Sequence, residues 1–106
     1  MFQGGYDGNR AQLETAFHPK AHICGNFDGH YVDWSLDDFI DRTIQAQSHI
    51  NEAFNKTVLN MEITGDIATV KALVITAAHH FTDYISLIKV NGKWLIRHKS
   101  FTNARA

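Results

Sequence analysis

The dipeptide Asn91-Gly92 separates two runs, residues 81–90 and 93–101, that are rich in β-branched and aromatic side chains. A two-residue type I′ turn needs φ > 0 at both central positions, and asparagine and glycine meet that need at least steric cost. The stretch therefore predicts a long hairpin, and the turn sets its register. Val90 should face Lys93, Lys89 Trp94, Leu87 Ile96, Ile85 His98, and Asp83 Ser100. Because side chains alternate across a strand, one face should carry Asp83, Ile85, Leu87, Lys89, Trp94, Ile96, His98 and Ser100. The other should carry Thr82, Tyr84, Ser86, Ile88, Val90, Lys93, Leu95, Arg97, Lys99 and Phe101. The first is more apolar in its middle and is assigned to the core. It also gathers an acid, an imidazole and a hydroxyl at one end, with Asp83 and His98 as diagonal neighbours.

Upstream, residues 1–17 carry a helical spacing of Phe2, Tyr6, Leu13, Ala16 and Phe17. Gly4, Gly5 and Gly8 each weaken it by about 1 kcal/mol relative to alanine, so the helix is expected from about Asn9. His18-Pro19 should end it, because a residue before proline is pushed out of the helical region. Residues 21–34 read as two short extended pieces around a turn at Gly25-Asn26-Phe27-Asp28-Gly29. Ser35-Leu36-Asp37-Asp38 resembles a capping box and opens a second helix with Leu36, Phe39, Ile40, Thr43 and Ile44 as its buried stripe. From Lys56 the period becomes two, with a turn at Gly65-Asp66 that sets Met61 against Val70, Leu59 against Ala72 and Thr57 against Val74. A further turn is expected at His79-His80. Helices followed by four antiparallel strands predict an α+β fold.

Several function classes recede on composition. A net charge of −1 offers no electrostatic reason to bind nucleic acid or an anionic membrane. No apolar run approaches a membrane span, and the first residues lack the pattern of a secretory leader. The single cysteine, Cys24, cannot form an internal disulfide and suits a reducing, cytoplasmic setting. The seven histidines invite a search for metal, which the spacing does not support. His18 and His22 are separated by Pro19, His79 and His80 should point to opposite faces, and no HExxH or cysteine pair is present. No metal or cofactor is expected.

At the level of motifs, Ala16-Phe17-His18-Pro19-Lys20-Ala21, Ser35-Leu36-Asp37-Asp38-Phe39-Ile40, Thr64-Gly65-Asp66, the run Phe81–Lys89 and Asn91-Gly92-Lys93-Trp94-Leu95-Ile96 together resemble the "putative lumazine-binding" proteins. That family lies within the nuclear-transport-factor-2-like (NTF2-like, SnoaL-like, cystatin-like) superfamily, and the resemblance spans nearly the whole chain. It implies a single domain over residues 1–106, an α+β cone with helices packed on the concave face of a curved antiparallel sheet. The superfamily uses the pocket in such a cone for isomerases, dehydratases, polyketide cyclases, ligand binding or association alone, and its members often dimerise through the sheet. Two departures stand out. The first helix is shorter than in relatives, through either a thinner pocket wall or a missing segment at the start. Relatives more often carry asparagine where His98 stands, which puts a proton-transfer role there outside the family pattern.

The candidate site follows. Asp83 and His98 are either a general acid/base pair or two buried polar groups that satisfy each other. His18, Trp34, Ile85, Ile96, Ser100 and Tyr6 are candidate pocket residues, with plain core or helix-end roles as their alternatives. Cys24 reads as an inert thiol. On the other face Tyr84, Ile88, Leu95 and Arg97 interleave aromatic, aliphatic and cationic groups, a composition suited to a homodimer surface. The leading expectation is a domain that binds a small molecule. The alternatives are a cofactor-independent acid/base enzyme using Asp83 and His98, and a dimerisation module with a vestigial pocket.

Overall fold

Asn91 and Gly92 take φ of 52° and 79°, the positive values of a type I′ turn. The structure, a computed structural model, describes residues 10–49, 55–76 and 78–105, with the side chains of 45–49 and 105 left aside. The elements run α1 (Arg10–Ala16), β1 (Phe17–Phe27), β2 (His30–Ser35), α2 (Leu36–His49), β3 (Asn55–Thr64), β4 (Ile67–Ile75), β5 (His79–Val90) and β6 (Lys93–Arg105). Helix α1 is described from Arg10 and gives way to strand one residue before His18-Pro19, as the proline requires. Ser35 caps α2, its Oγ accepting the Asp38 N–H at 3.3 Å, with Asp37 and Asp38 in the first turn where the helix dipole favours anions. Arg10 ties the helices together, pairing with Asp41 and lying 3.7 Å from Asp37.

The β1–β2 turn is narrower than the five-residue segment expected for it. Strand β1 continues through Phe27, and only Asp28 and Gly29 turn, with φ of 50° and 83°. His79-His80 likewise opens β5 instead of forming the turn before it.

The strands form one curved sheet in the order β2-β1-β6-β5-β4-β3. It is mixed, not wholly antiparallel, because β1 lies parallel to β6. Pairing between the start and the end of a chain leaves no trace in local alternation, so hairpin patterns alone do not reveal it.

Two bulges also redraw the expected registers. Leu59 is the extra residue of β3, so that Met61 still opposes Val70 but Val58 opposes Ala72 and Lys56 opposes Val74. Arg97 is the extra residue of β6: Leu87 opposes Ile96, but Ser86 opposes His98, Ile85 opposes Lys99 and Asp83 opposes Phe101. A bulge inverts the facing of everything beyond it. Lys99 and Phe101 therefore join Asp83, Ile85 and Leu87 on the core face, and His98 and Ser100 move to the outer one.

The core face is closed by Leu13, Leu36 and Ile40 of the helices, packed with Ile23, Val70, Ala72, Ile85, Leu87 and Ile96 of the sheet. Ile23, Ile40, Ile85 and Ile96 lose essentially all contact with water, and each such burial stabilises the fold by roughly 1.5–3 kcal/mol. Phe17 packs on Phe39 at 5.6 Å between ring centres. Among the described residues no helix is long and apolar enough to cross a membrane.

Gly25 lies close against the backbone of β6. A Cβ there would lie 2.1 Å from the Phe101 carbonyl oxygen and 2.8 Å from its ring. Gly25→Ala should therefore destabilise the protein by about 1–3 kcal/mol through overpacking, read as a lower denaturation midpoint in urea. An unchanged midpoint would contradict the close β1–β6 approach.

Candidate functional site

The core face carries a buried ion pair. Asp83 is 3% exposed, and Lys99 Nζ lies 3.2 Å from its Oδ2 with the lysine side chain 18% exposed. The two are diagonal neighbours across β5 and β6, the relation expected for Asp83 and His98, but the Arg97 bulge gives the place to Lys99. The ammonium also stands 4.9 Å over the Phe39 ring of α2, so its charge faces a carboxylate and a π face together. Withdrawing both charges from water is costly, and their attraction repays it only with good geometry.

Aromatic side chains extend the site. Trp34 of β2 stacks on Phe101 of β6 at 5.9 Å with 26° between the rings, and the Arg42 guanidinium covers Trp34 at 4.9 Å. Phe81 meets Phe101 edge-on at 6.2 Å and continues to Phe27 at 5.8 Å. The β1–β2 turn is fastened at this end: the Asp28 N–H donates to Asn103 Oδ1 at 2.7 Å, and Asn103 Nδ2 donates to Asp28 Oδ1 at 3.0 Å. Chemically, the carboxylate can take a proton, and the ammonium offers hydrogen bonds to a carbonyl or oxyanion oxygen.

The residues singled out from sequence are distributed as follows. Asp83 and Trp34 lie on the core face. His98 does not meet Asp83, since it stands on the outer face with Nε2 3.9 Å from Cys24 Sγ. Ser100, opposite Tyr84, is on the outer face too. Ile85 and Ile96 are each 2% exposed and fill the core. His18 is occupied locally, its Nδ1 accepting the Lys20 N–H at 3.0 Å. Tyr6 lies outside the described residues. Lys99 is the group that strict alternation missed. The available signal was Phe101, a large apolar side chain that an unbroken hairpin would have sent to the solvent side.

The outer face is mixed, with polar groups gathered in one part of it. A groove of about 380 Å³ there is lined by Asn60, Lys71, Tyr84, Ser86, His98 and Ser100. His22 pairs with Asp33 beside it. The Asp33 carboxylate, followed by burial and Cys24, holds the Tyr31 hydroxyl above its ordinary pKa. Arg97, assigned from sequence to a dimer surface, directs its guanidinium to the Lys20 carbonyl at 2.7 Å.

The family model described as "Putative lumazine-binding" matches residues 1–102. Among curated proteins, a chain named aldolase FrzH from Cladobotryum sp. is 26% identical over 94 residues, 89% of this chain and 75% of that one. Among solved structures, an NTF2-like protein of unknown function from Silicibacter pomeroyi superimposes with a TM-score of 0.87 at 24% identity, covering 96% of this chain and 85% of that one. Another NTF2-like protein of unknown function, from Methylobacillus flagellatus, gives a TM-score of 0.83 at 22% identity, covering 97% and 82%. The NTF2-like fold is thereby shared with both.

The ion pair makes a stability prediction. Asp83→Ala leaves the Lys99 charge without its carboxylate and should cost about 3–5 kcal/mol, whereas the double change Asp83→Leu with Lys99→Met should recover most of that loss. Urea denaturation of the two variants separates the cases, and equal midpoints would mean that the pair is not energetically buried.

Proposed function

The chain belongs to the "Putative lumazine-binding" family, and from that premise we propose that a cleft on the concave, helix-covered face of its sheet binds a small, flat molecule bearing a carbonyl or oxyanion oxygen. One observation carries the reading: the buried Asp83–Lys99 pair stands beside the aromatic run of Trp34, Phe101 and Phe81. A buried ion pair often contributes no more to stability than apolar groups of the same volume, so recognition accounts for its place in a core better than folding does. A flat ligand would lie along the rings while Lys99 Nζ donates to its oxygen. The residues we assign to this site are Asp83, Lys99, Trp34, Phe39 and Phe101.

The second reading is a cofactor-independent acid/base enzyme, and the name of the curated relative, an aldolase, favours it. In that reading Asp83 moves the proton and Lys99, not His98, steadies the developing oxyanion. The outer face supports a separate proposal, a homodimer. Tyr84 and Ile67 there are 58% and 54% exposed, with Ile88 and Leu95 partly covered between them. Such an apolar and aromatic patch on a sheet face suits a two-fold partner. The unpaired Cys24 fits a cytoplasmic setting.

Titration with lumazine, followed by quenching of tryptophan fluorescence, tests the binding site. Saturable quenching is expected, and Lys99→Met paired with Asp83→Leu should weaken it about tenfold or more, the cost of a lost charge-assisted hydrogen bond. Binding unaffected by that double change would place the ligand elsewhere. For the dimer, sedimentation velocity should find the wild-type chain as a dimer and Tyr84→Asp as a folded monomer. A monomeric wild type would remove the outer face from the interface.

A further inference from the structure

Lys99 has surroundings that hydrogen bonding to a ligand does not by itself require. Its amine lies on the core side of the sheet, against a carboxylate at 3.2 Å and over the Phe39 ring at 4.9 Å. Lys71 and Lys89 also lie over rings, those of Tyr84 and Trp94, but at 5.7 Å and 5.9 Å, and Lys89 is exposed. We propose that Lys99 is a nucleophile that condenses with an aldehyde or ketone to form an iminium ion, with Asp83 carrying the protons. The proposal rests on the reading of the core face as the ligand site, and it narrows the ligand class to carbonyl compounds with a flat, apolar body.

The step balances within the pair. Lys99 gives a proton to the Asp83 carboxylate, and the freed lone pair attacks the carbonyl carbon. A C–N bond forms as the C=O π pair moves to oxygen, which takes the proton back from Asp83. Asp83 then accepts a second proton from nitrogen and returns it to the hydroxyl, which leaves as water while the C=N bond forms. The sum is one ammonium and one carbonyl giving one iminium and one water, with Asp83 unchanged. The iminium carries on Nζ the same positive charge as the starting ammonium, so the carboxylate and the Phe39 ring face a cation at both ends of the reaction. An iminium draws electrons from the neighbouring carbon and makes its C–H bonds acidic, and Asp83 is the base within reach. Making or breaking a carbon–carbon bond at that position is the chemistry that the relative's name, aldolase, describes.

Reductive trapping tests this on the full chain. The protein is incubated with benzaldehyde and sodium cyanoborohydride, digested, and mapped by mass spectrometry for benzyl-lysine. Binding of benzaldehyde without reductant is followed in parallel by tryptophan quenching. Lys99 should be labelled at least tenfold faster than Lys71 or Lys89, and Asp83→Asn should slow that labelling at least tenfold. Lys99→Arg, which keeps the charge beside Asp83 and so protects the fold, should remove the fast adduct while the surface adducts persist. Saturable quenching with labelling spread evenly over the lysines would overturn the nucleophilic role and leave the ligand site standing. Absence of both saturable quenching and preferential labelling would overturn the ligand site as well.

Discussion

One extra residue, Arg97, determines which side chains of β6 face the core. It sits where two ladders lose register together. On the β5 side the pairing steps from Leu87↔Ile96 to Ser86↔His98, and on the β1 side it steps from Phe17↔Ile96 to His22↔His98. The β1 residues passed over include Pro19, which has no N–H to donate to a ladder, and Lys20, whose carbonyl accepts the Arg97 guanidinium. The bulge is thus held from its own side chain. Past it, Phe101 comes to lie over Gly25, where the missing Cβ leaves room for its ring, and Lys99 comes to lie beside Asp83.

That placement gives the core face an uncommon combination. A carboxylate and an amine are set in apolar surroundings, with the rings of Phe39, Trp34 and Phe101 about them. Electrostatic interactions are stronger in such a setting than in water, so a polar group placed between the two charges would interact with both. The chemistry proposed for the site follows from a net charge that does not change along the reaction.

The outer face is built on the opposite plan. Tyr84, Ser86, His98, Ser100 and Lys71 meet water or a partner, and the histidine that alternation had put beside Asp83 has Cys24 as its neighbour. The two faces of the same hairpin therefore carry the two proposals separately, small-molecule recognition on the core face and association on the outer one. Substitutions can address each without crossing the sheet.

Most of the fold was legible in local chemistry. Asn91-Gly92 and Gly65-Asp66 mark turns by their composition, the segment 25–29 brackets a third that proves narrower, Ser35 marks a helix start by its cap, and the stripe of Leu36, Phe39 and Ile40 marks the side of α2 that packs inward. Asp83 was legible as a core-facing acid because it lies on the uninterrupted strand of the hairpin. Its partner was not. The Arg97 and Leu59 bulges and the parallel β1–β6 ladder depend on contacts between residues far apart in the chain, and period-two alternation carries no record of them. Local chemistry alone marks the second helix, the hairpin turns at Gly65-Asp66 and Asn91-Gly92, and the buried acid. Long-range pairing is what puts Lys99, and not His98, on the face of that acid, since facing beyond a bulge is set by the arrangement that packs Phe101 against the core and bonds Arg97 to Lys20.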